Sequence, residues 1–233
     1  ASKLKISHLL AQVLINRGIT DIVSARNFLQ PQIAALGDPS LLPDIEKASV
    51  RINEAVRKGE KIVIYGDYDV DGLSATALMY RCLKLVGGQV SYYIPERLEE
   101  GYGLNTDAIK KLKEAGADVI LTVDCGINAC READVARTFG IDLIITDHHQ
   151  PGQEIPNAFA VVNPKLKTSQ CAFKHFSGVG IAFKLAWAIG QHFSPHKKVS
   201  TEFKDFLLNA VGLVALGTIA DVVPLLGENR ILT

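Results

Sequence analysis

The most unusual short stretch of this chain is YGDYDVDG, which carries three aspartates at alternate positions. It directly follows the apolar run KIVIY, a pattern that predicts a buried strand. Because side chains at positions i and i+2 of a strand share a face, Asp67, Asp69 and Asp71 converge as far as the strand geometry continues. Carboxylates held that close repel one another. A metal ion, an arginine cluster or exposure in a solvated turn would each relieve that repulsion.

Two further predicted strands also end in acids or histidines. Asp124 follows the apolar run DVILTV, and the triplet Asp147, His148 and His149 follows IDLIIT. In an open parallel sheet, ligands bind beyond the carboxyl ends of the strands, which all lie at one edge. We therefore expect these four side chains to lie near the aspartates of YGDYDVDG.

Asp221 is a further candidate, because it is the lone acid in an otherwise apolar stretch from Ala210 to Leu226. Each candidate alone has an ordinary structural explanation, since aspartates commonly cap helices or form turns. Together, the acids and the histidine pair occupy the places that the fold rule predicts for a site. This conjunction favours a metal site over a set of separate structural roles.

The chemistry of such a site follows from its donor atoms, which are carboxylate oxygens and imidazole nitrogens without a thiolate. Hard donors of this kind suit Mn²⁺ first, then Mg²⁺, and tolerate Co²⁺ or Zn²⁺. About five ligands exceed what one four-coordinate ion uses, so we predict two ions about 3.5–4 Å apart that share carboxylates. A pair of ions is suited to activating water against a phosphoryl centre, which predicts hydrolysis of a phosphoester or phosphoanhydride.

The elements that must position these residues alternate from residue 61 onward. Segments with helical spacing that end at glycine separate the first four of five short apolar runs. The runs predict strands covered on both faces: KIVIY, QVSYYI, DVILTV, IDLIIT and AFAVV. We predict a doubly wound α/β domain with a mainly parallel five-stranded sheet and helices on both faces. Predicted N-terminal helices (7–29 and 44–58) precede it and a C-terminal helical segment (177–193 and 202–217) follows.

Composition limits the function classes. The chain has 233 residues, 48% of them hydrophobic, enough for one sizeable core or two modest ones. Equal numbers of basic and acidic residues, 25 each, argue against binding nucleic acid by net charge alone. Two divalent ions would nevertheless make an active site locally positive.

The same composition bears on compartment. We find no apolar run near the ~20 residues that span a bilayer and no secretory signal, so we expect a cytoplasmic protein with no membrane partner. The four cysteines form neither CxxC pairs nor a dense framework, which predicts packing thiols in a reducing compartment: Cys82, Cys125, Cys130 and Cys171.

The chain resembles the DHH phosphoesterase superfamily, which takes its name from the triplet Asp147-His148-His149. Four stretches are similar to the core motifs of that superfamily in their usual order: GDYDVDG, TVDCGI, TDHHQPG and ALGTIADVVPL. Within it, PERLEEGYGLN, SGVGIAFKL and the segment ending in NRILT resemble the RecJ-type exonucleases. The resemblance runs from about residue 44 to the last residue. It implies the catalytic core of a Mn²⁺-dependent enzyme that degrades single-stranded DNA from 5′ to 3′ in repair and recombination.

The resemblance also implies roles for the metal ligands. Asp69 would bind one ion, Asp71 the other, and Asp124 both. His148 and Asp221 would complete the coordination of the second ion.

Three neighbouring residues have implied roles in catalysis. His149 would contact the scissile phosphate, and Asp147 would orient a histidine. Superfamily members of the pyrophosphatase type have a histidine at the position of Tyr65, so here the first ion would bind Asp67 or water instead.

Substrate contacts are the least determined of these expectations. The SGVG stretch begins a predicted helix, so Ser177, Gly178 and Gly180 could present backbone N–H groups to a phosphate, with tight helix packing as the alternative. Arg97 is a candidate phosphate contact and Tyr102 a candidate for base stacking, with surface and packing roles as their alternatives.

Alternative functions stay open at this point. One is a DHH phosphodiesterase of short oligonucleotides, phosphoadenosine phosphate or cyclic dinucleotides; another is a non-catalytic scaffold of a replication complex. A Rossmann module is disfavoured because no GxGxxG follows the first strand.

RecJ-type proteins continue into a second α/β domain, whereas this chain stops twelve residues after Asp221. We therefore expect a truncated protein with an N-terminal helical extension (1–43) and a DHH-type catalytic domain (44–233). Single-stranded DNA is the implied partner, and a single-strand-binding protein and a helicase are implied partners of the longer protein.

Overall fold

The computed structural model describes residues 1–96, 103–194 and 198–233. Its strands are β1 (Lys61–Tyr65), β2 (Gln89–Tyr93), β3 (Val119–Val123), β4 (Asp142–Thr146) and β5 (Ala160–Val162). Its α-helices are α1 (His8–Asn16), α2 (Ile22–Leu29), α3 (Ile45–Lys58), α4 (Val70–Leu85), α5 (Thr106–Glu114), α6 (Cys130–Thr138), α7 (Gly178–His192), α8 (Thr201–Ala220) and α9 (Gly227–Leu232). All five predicted strands are present within two residues of their predicted bounds.

The five strands form one parallel sheet in the order β2-β1-β3-β4-β5. The chain passes from β1 outward to β2 at one edge and then returns to β3 on the other side of β1. Strand order therefore reverses between β1 and β3, and the crevice above such a reversal is where open α/β sheets bind ligands. The predicted parallel, doubly wound sheet is confirmed.

Helices cover both faces of the sheet, as predicted. In β1, Ile62 and Ile64 pack into the core formed with α3, α4, α7 and α8. Val63 and Tyr65 point to the opposite face, into the core formed with α5 and α6. Two separate cores hold the central strands rigidly, so the residues at their carboxyl ends have fixed positions.

Two element boundaries differ from the predicted ones. Helix α4 begins at Val70, three residues before its predicted start, because the Asp69 carboxylate accepts a hydrogen bond from the Gly72 N–H and caps the helix. Asp71 therefore lies in the first turn of a helix, not on an extended continuation of β1. The short α9, which was not predicted, follows the loop after Asp221.

A buried ion pair joins the N-terminal segment to the rest of the chain. The Lys184 ammonium contacts the Glu228 carboxylate and donates a hydrogen bond of 2.6 Å to the Gly37 carbonyl. The Gly37 N–H donates in turn to Glu228. Because Lys184 is only 2% exposed, losing one partner would leave an unpaired buried charge, which makes this a strong tie between α7, α9 and residue 37.

Helix α8 is long and apolar enough to cross a membrane by length and composition alone, which the sequence analysis did not anticipate. It packs against α4 and α7, and Phe203, Leu207 and Val214 contribute to the larger core. Core helices often meet the same two criteria, so we interpret α8 as a core helix.

The four cysteines are free thiols, and three of them are buried, consistent with the predicted packing role.

Candidate metal centre

The predicted metal ligands gather above the reversal of strand order, in two groups of side chains. One ligand atom each from Asp67, Asp69 and Asp124 lies within 4.8 Å of the others. The same holds for a second group, which consists of Asp71, His148 and Asp221. The cluster thus brings together all five predicted metal ligands, together with Asp67.

His148 joins the two groups. Its Nε2 lies 3.2 Å from Oδ1 of Asp124, 3.6 Å from Oδ2 of Asp221 and 4.0 Å from Oδ2 of Asp71. These four side chains come from β4, β3, α8 and α4 respectively or from the turns at their ends. Asp124 is the carboxylate that lies close to both groups, which is the position a bridging ligand requires.

Several atoms of this cluster are buried without a hydrogen-bond partner among the described residues. They are Oδ1 of Asp124, both ring nitrogens of His148 and Oδ2 of Asp221. Buried polar atoms in folded proteins are nearly always paired, so this concentration at one place calls for a ligand. Carboxylate oxygens and an imidazole nitrogen fit a hard divalent ion such as Mn²⁺ or Mg²⁺.

Burial has a large effect on the carboxylate pKa values of the metal-free cluster. It raises the pKa of Asp124 to about 10, with the charges of Asp71 and Asp69 adding to the effect. Burial likewise raises the pKa of Asp71 to about 6, although hydrogen bonds and the charge of His148 oppose it. Without a cation, Asp124 therefore holds a proton at neutral pH, and a bound cation has to displace it.

The SGVG stretch binds Asp71. The N–H groups of Gly178 and Val179, in the first turn of α7, donate to its two carboxylate oxygens at 2.6 and 2.9 Å. Ser177 caps the helix by accepting from the Gly180 N–H, and all of these residues are buried. This corrects the expectation that Ser177, Gly178 and Gly180 contact a phosphate, because their N–H groups and hydroxyl are used inside the protein.

Two glycines let the helices approach the carboxylates closely. A Cβ on Gly178 would lie 2.3 Å from Oδ1 of Asp124, and one on Gly217 of α8 would lie 2.6 Å from Oδ1 of Asp71. Any larger residue would displace the carboxylate. The glycine of SGVG therefore serves close packing, the alternative that the sequence analysis left open.

The adjacent histidines have different environments. Nδ1 of His149 lies 2.7 Å from Oδ1 of Asp147, which also accepts the His149 backbone N–H at 3.0 Å. This hydrogen bond to Asp147 raises the pKa of His149 to about 9, so its ring is an imidazolium at neutral pH. Burial and the charge of His149 lower the pKa of His148, whose ring is neutral and able to bind a metal ion.

Asp147 is buried but charged. Burial alone would raise its pKa, yet the hydrogen bonds and the charge of His149 lower it below the ordinary value. Its second oxygen accepts the Ile127 N–H at 2.9 Å, which fixes the carboxylate in place. The geometry agrees with the predicted orienting role, and the histidine that it orients is His149.

Tyr65 turns away from the cluster. Its hydroxyl donates to the Gly103 carbonyl at 3.0 Å, and the residue packs into the α5 and α6 core. The buried carboxylate of Asp67 instead completes the first group, which gives that group a third oxygen ligand without a histidine.

Sequence reasoning missed two residues that support the cluster. The side-chain amide of Asn163, just after β5, donates to the His149 carbonyl at 3.0 Å. The Thr218 hydroxyl shares a 2.8 Å hydrogen bond with that of Ser177. The only signal for Asn163 is its place after a strand, and Thr218 has none. Arg97 and Tyr102 lie outside the described residues.

The fold and the cluster define a class: a doubly wound α/β domain with a carboxylate and histidine centre positioned for metal binding at the reversal of strand order. The model of the DHH family, N-terminal domain, matches residues 61–217, and the chain belongs to the DHH family. That match contains every member of the cluster except Asp221.

Comparison with known proteins gives three relatives. The single-stranded-DNA-specific exonuclease RecJ of Bacillus subtilis (strain 168) is 45% identical over 230 residues, covering 99% of this chain and 28% of that protein. The crystal structure of exonuclease RecJ bound to manganese is similar with a TM-score of 0.73 and 38% identity, covering 86% of this chain and 48% of that one. For the crystal structure of RecJ in complex with Mn²⁺ from Thermus thermophilus, these values are 0.78, 33%, 99% and 31%. The chain thus spans less than half the length of each relative.

Proposed function

We propose that this chain is the catalytic core of a metal-dependent exonuclease that hydrolyses phosphodiester bonds of single-stranded DNA from 5′ to 3′. The observation that carries the proposal is the convergence of buried, unpaired ligand atoms of Asp124, His148 and Asp221 in the family's own motifs. The RecJ proteins to which the chain is similar are named for this activity. We assign the activity to DNA repair and recombination in the cytoplasm.

We propose that the centre holds two divalent ions, with Mn²⁺ preferred and Mg²⁺ as the alternative. Asp67 and Asp69 would hold the first ion, Asp71, His148 and Asp221 the second, and Asp124 both. Crystal structures of RecJ relatives contain Mn²⁺ or Mg²⁺, which supports this choice. Such ions, when bound, neutralise charge on phosphate oxygens and acidify water.

The residues beside the cluster have separate tasks in this proposal. The imidazolium of His149 donates a hydrogen bond from Nε2 to the scissile phosphate as negative charge develops there. Asp147 holds the ring through Nδ1 and keeps it protonated at neutral pH. The N–H groups of Gly178 and Val179 fix Asp71, so its carboxylate does not have to reorganise when a cation binds.

The domain assignment is part of the proposal. Residues 44–233 form the catalytic domain and residues 1–43 an extension that the Lys184–Glu228 pair ties to it through Gly37. On the family resemblance alone, the longer protein has a single-strand-binding protein and a helicase as partners.

The test is a digest of single-stranded DNA labelled at either end, with and without Mn²⁺, on this chain and on a version extended to the length of its relatives. Release of labelled mononucleotide from 5′-labelled strands first, with Asp124→Asn inactive, is the expected result. Products that shorten from the 3′ end would contradict the polarity. If the extended protein cleaves neither strand while binding Mn²⁺, the proposed activity is wrong.

A further inference from the structure

A second concave site lies between α2 and α9, apart from the metal centre. It is a cavity of about 510 Å³, within the range of ~300–1,000 Å³ typical of small-molecule pockets. Residues 17–19, α2 and α9 form its walls, and Phe173 lies between α9 and the loop before α7. None of the residues that line the cavity belongs to the metal centre, so this cavity requires its own explanation.

The cavity carries a net positive charge. Arg17, Arg26 and Arg230 line it, and no carboxylate of a described residue lies within 4.0 Å of their guanidinium nitrogens. Glu228 is the one acid among the lining residues, and it is already paired with Lys184. Three arginines without carboxylate partners in one concave surface repel each other, and an anion would relieve that repulsion.

One of these arginines is held in place by the wall of the cavity. The guanidinium carbon of Arg230 lies 4.7 Å from the centre of the Phe28 ring, and its Nε donates to the Phe28 carbonyl at 3.3 Å. Its terminal nitrogens donate to no described residue. A guanidinium fixed by stacking in this way is preorganised to bind an anion, because little side-chain freedom remains to be lost.

The remaining lining groups restrict the chemistry of the ligand. Amide side chains of Asn27, Gln30 and Gln32 provide hydrogen-bond donors and acceptors, and Phe28 and Phe173 provide aromatic surface. Guanidinium groups match phosphate oxygens in pairs of parallel hydrogen bonds, and aromatic rings stack on nucleobases. A simple carboxylate would use the arginines but not the aromatic surface.

We propose that this cavity binds the phosphate ester of a nucleotide, with the arginines on the phosphate and an aromatic ring against the base. The nucleotide has two sources, a single strand that passes beyond the metal centre or a free mononucleotide. Binding of either source requires no hydrolysis, so the proposal stands independently of the exonuclease activity.

The test measures binding in EDTA, which removes divalent ions and leaves the acidic centre repulsive to DNA. The probes are a fluorescent oligothymidylate of about 12 nucleotides, within the site sizes of single-strand binders, and thymidine 5′-monophosphate. Arg17→Gln and Arg26→Gln, singly and together, remove exposed arginines of the cavity. Arg57→Gln is the matched control, since it removes an exposed arginine at the end of α3, outside the cavity.

We expect the double variant to weaken oligonucleotide binding at least tenfold and each lost phosphate contact to lower the slope of log affinity against log salt by about 0.7. Arg57→Gln should change neither quantity. If instead only binding of the mononucleotide weakens, the cavity binds the free nucleotide and the proposal holds for that source. Unchanged binding of both probes, in variants with the wild-type melting temperature, would overturn it. Equal weakening by Arg57→Gln would overturn it as well.

Discussion

Gly178 donates its backbone N–H to the Asp71 carboxylate at 2.6 Å, which joins the first turns of α7 and α4. With the Val179 N–H on the other oxygen, both oxygens of this carboxylate accept from the backbone. Asp71 is therefore held as part of the helix start as well as being a candidate metal ligand. The contrast with Asp124, whose Oδ1 has no partner among the described residues, leads to the first prediction.

At pH 5, Asp71→Asn should lower the free energy of unfolding of the metal-free protein by about 1–3 kcal/mol, because an amide NH₂ would face a buried N–H donor. Asp124→Asn should change it by less than about 0.5 kcal/mol, a change typical of substitutions that break no such contact. At this pH both carboxyls are protonated, given pKa values of about 6 and 10, so relief of charge repulsion does not enter. Urea unfolding measures both. Equal losses would show that the backbone contacts to Asp71 contribute nothing particular.

Mn²⁺ binding should release a proton from Asp124 at pH 7.5. Its pKa of about 10 in the metal-free protein means that the proton is bound below that pH, and the cation displaces it. Apparent Mn²⁺ affinity should consequently increase as pH rises from 7 to 9. Calorimetric titration in two buffers of different ionisation enthalpy counts the protons. Asp124→Asn should release about one fewer, and an unchanged count would assign the proton to another group.

Replacing the two adjacent histidines separately should affect different steps. His149→Ala should leave Mn²⁺ binding nearly unchanged and lower turnover by about 10²–10³-fold, the usual cost of losing one transition-state donor. His148→Ala should weaken Mn²⁺ binding itself, because the neutral ring at the junction of the two groups is lost. Both are measured side by side in the extended, active protein. Equal losses of Mn²⁺ affinity would make both histidines ligands.

Asp147→Asn should bring the pKa of His149 down from about 9 toward its ordinary value of about 6.5, because the charged hydrogen-bond acceptor is removed. The imidazolium would then be lost near neutral pH instead of in the alkaline range. NMR titration of the metal-free protein follows the His149 ring directly. A pKa that stays near 9 in the variant would mean that Asp147 is not the cause of the shift.

Gly178→Ala and Gly180→Ala form a matched pair in the first turn of α7. At Gly178 a Cβ would lie 2.3 Å from the Asp124 carboxylate, whereas at Gly180 its nearest neighbour is a Phe176 ring carbon at 3.3 Å. We expect the first substitution to weaken Mn²⁺ binding at least tenfold and the second to leave it within about twofold, since only the first displaces a candidate ligand. Mn²⁺ titration of each folded variant decides, and similar effects would place the cause in the helix backbone.

The sequence was informative where the physics is local. Alternating apolar runs predicted each strand, and the rule that strand ends share an edge predicted that Asp124 and His148 would meet. Two cores on opposite faces of the sheet followed from the same alternation. These features depend on residues close together in sequence, which is why a pattern of a few residues specifies them.

Long-range contacts escaped the sequence. The N–H groups of α7 reach Asp71 across 107 positions of the chain, and nothing near SGVG indicates a carboxylate as their acceptor. A phosphate and an aspartate are equally good anions for a helix start, so the motif alone does not distinguish them. The length of α4 was missed for a different reason, because Asp69 acts as a helix cap within a stretch that looked extended.

The dispersion of the cluster along the chain also has a consequence for how the protein folds. Its members come from the ends of β1, β3 and β4, from the first turn of α4 and from the residue that caps the end of α8, so they meet only after the most non-local parts of the chain have docked. Closing loops of that length is slow compared with forming a single helix or turn. No partly folded intermediate that lacks α8 can assemble the full cluster. A nascent chain therefore gains its metal-binding centre at the end of folding, and any hydrolytic capacity toward nucleic acid is withheld until the domain is complete.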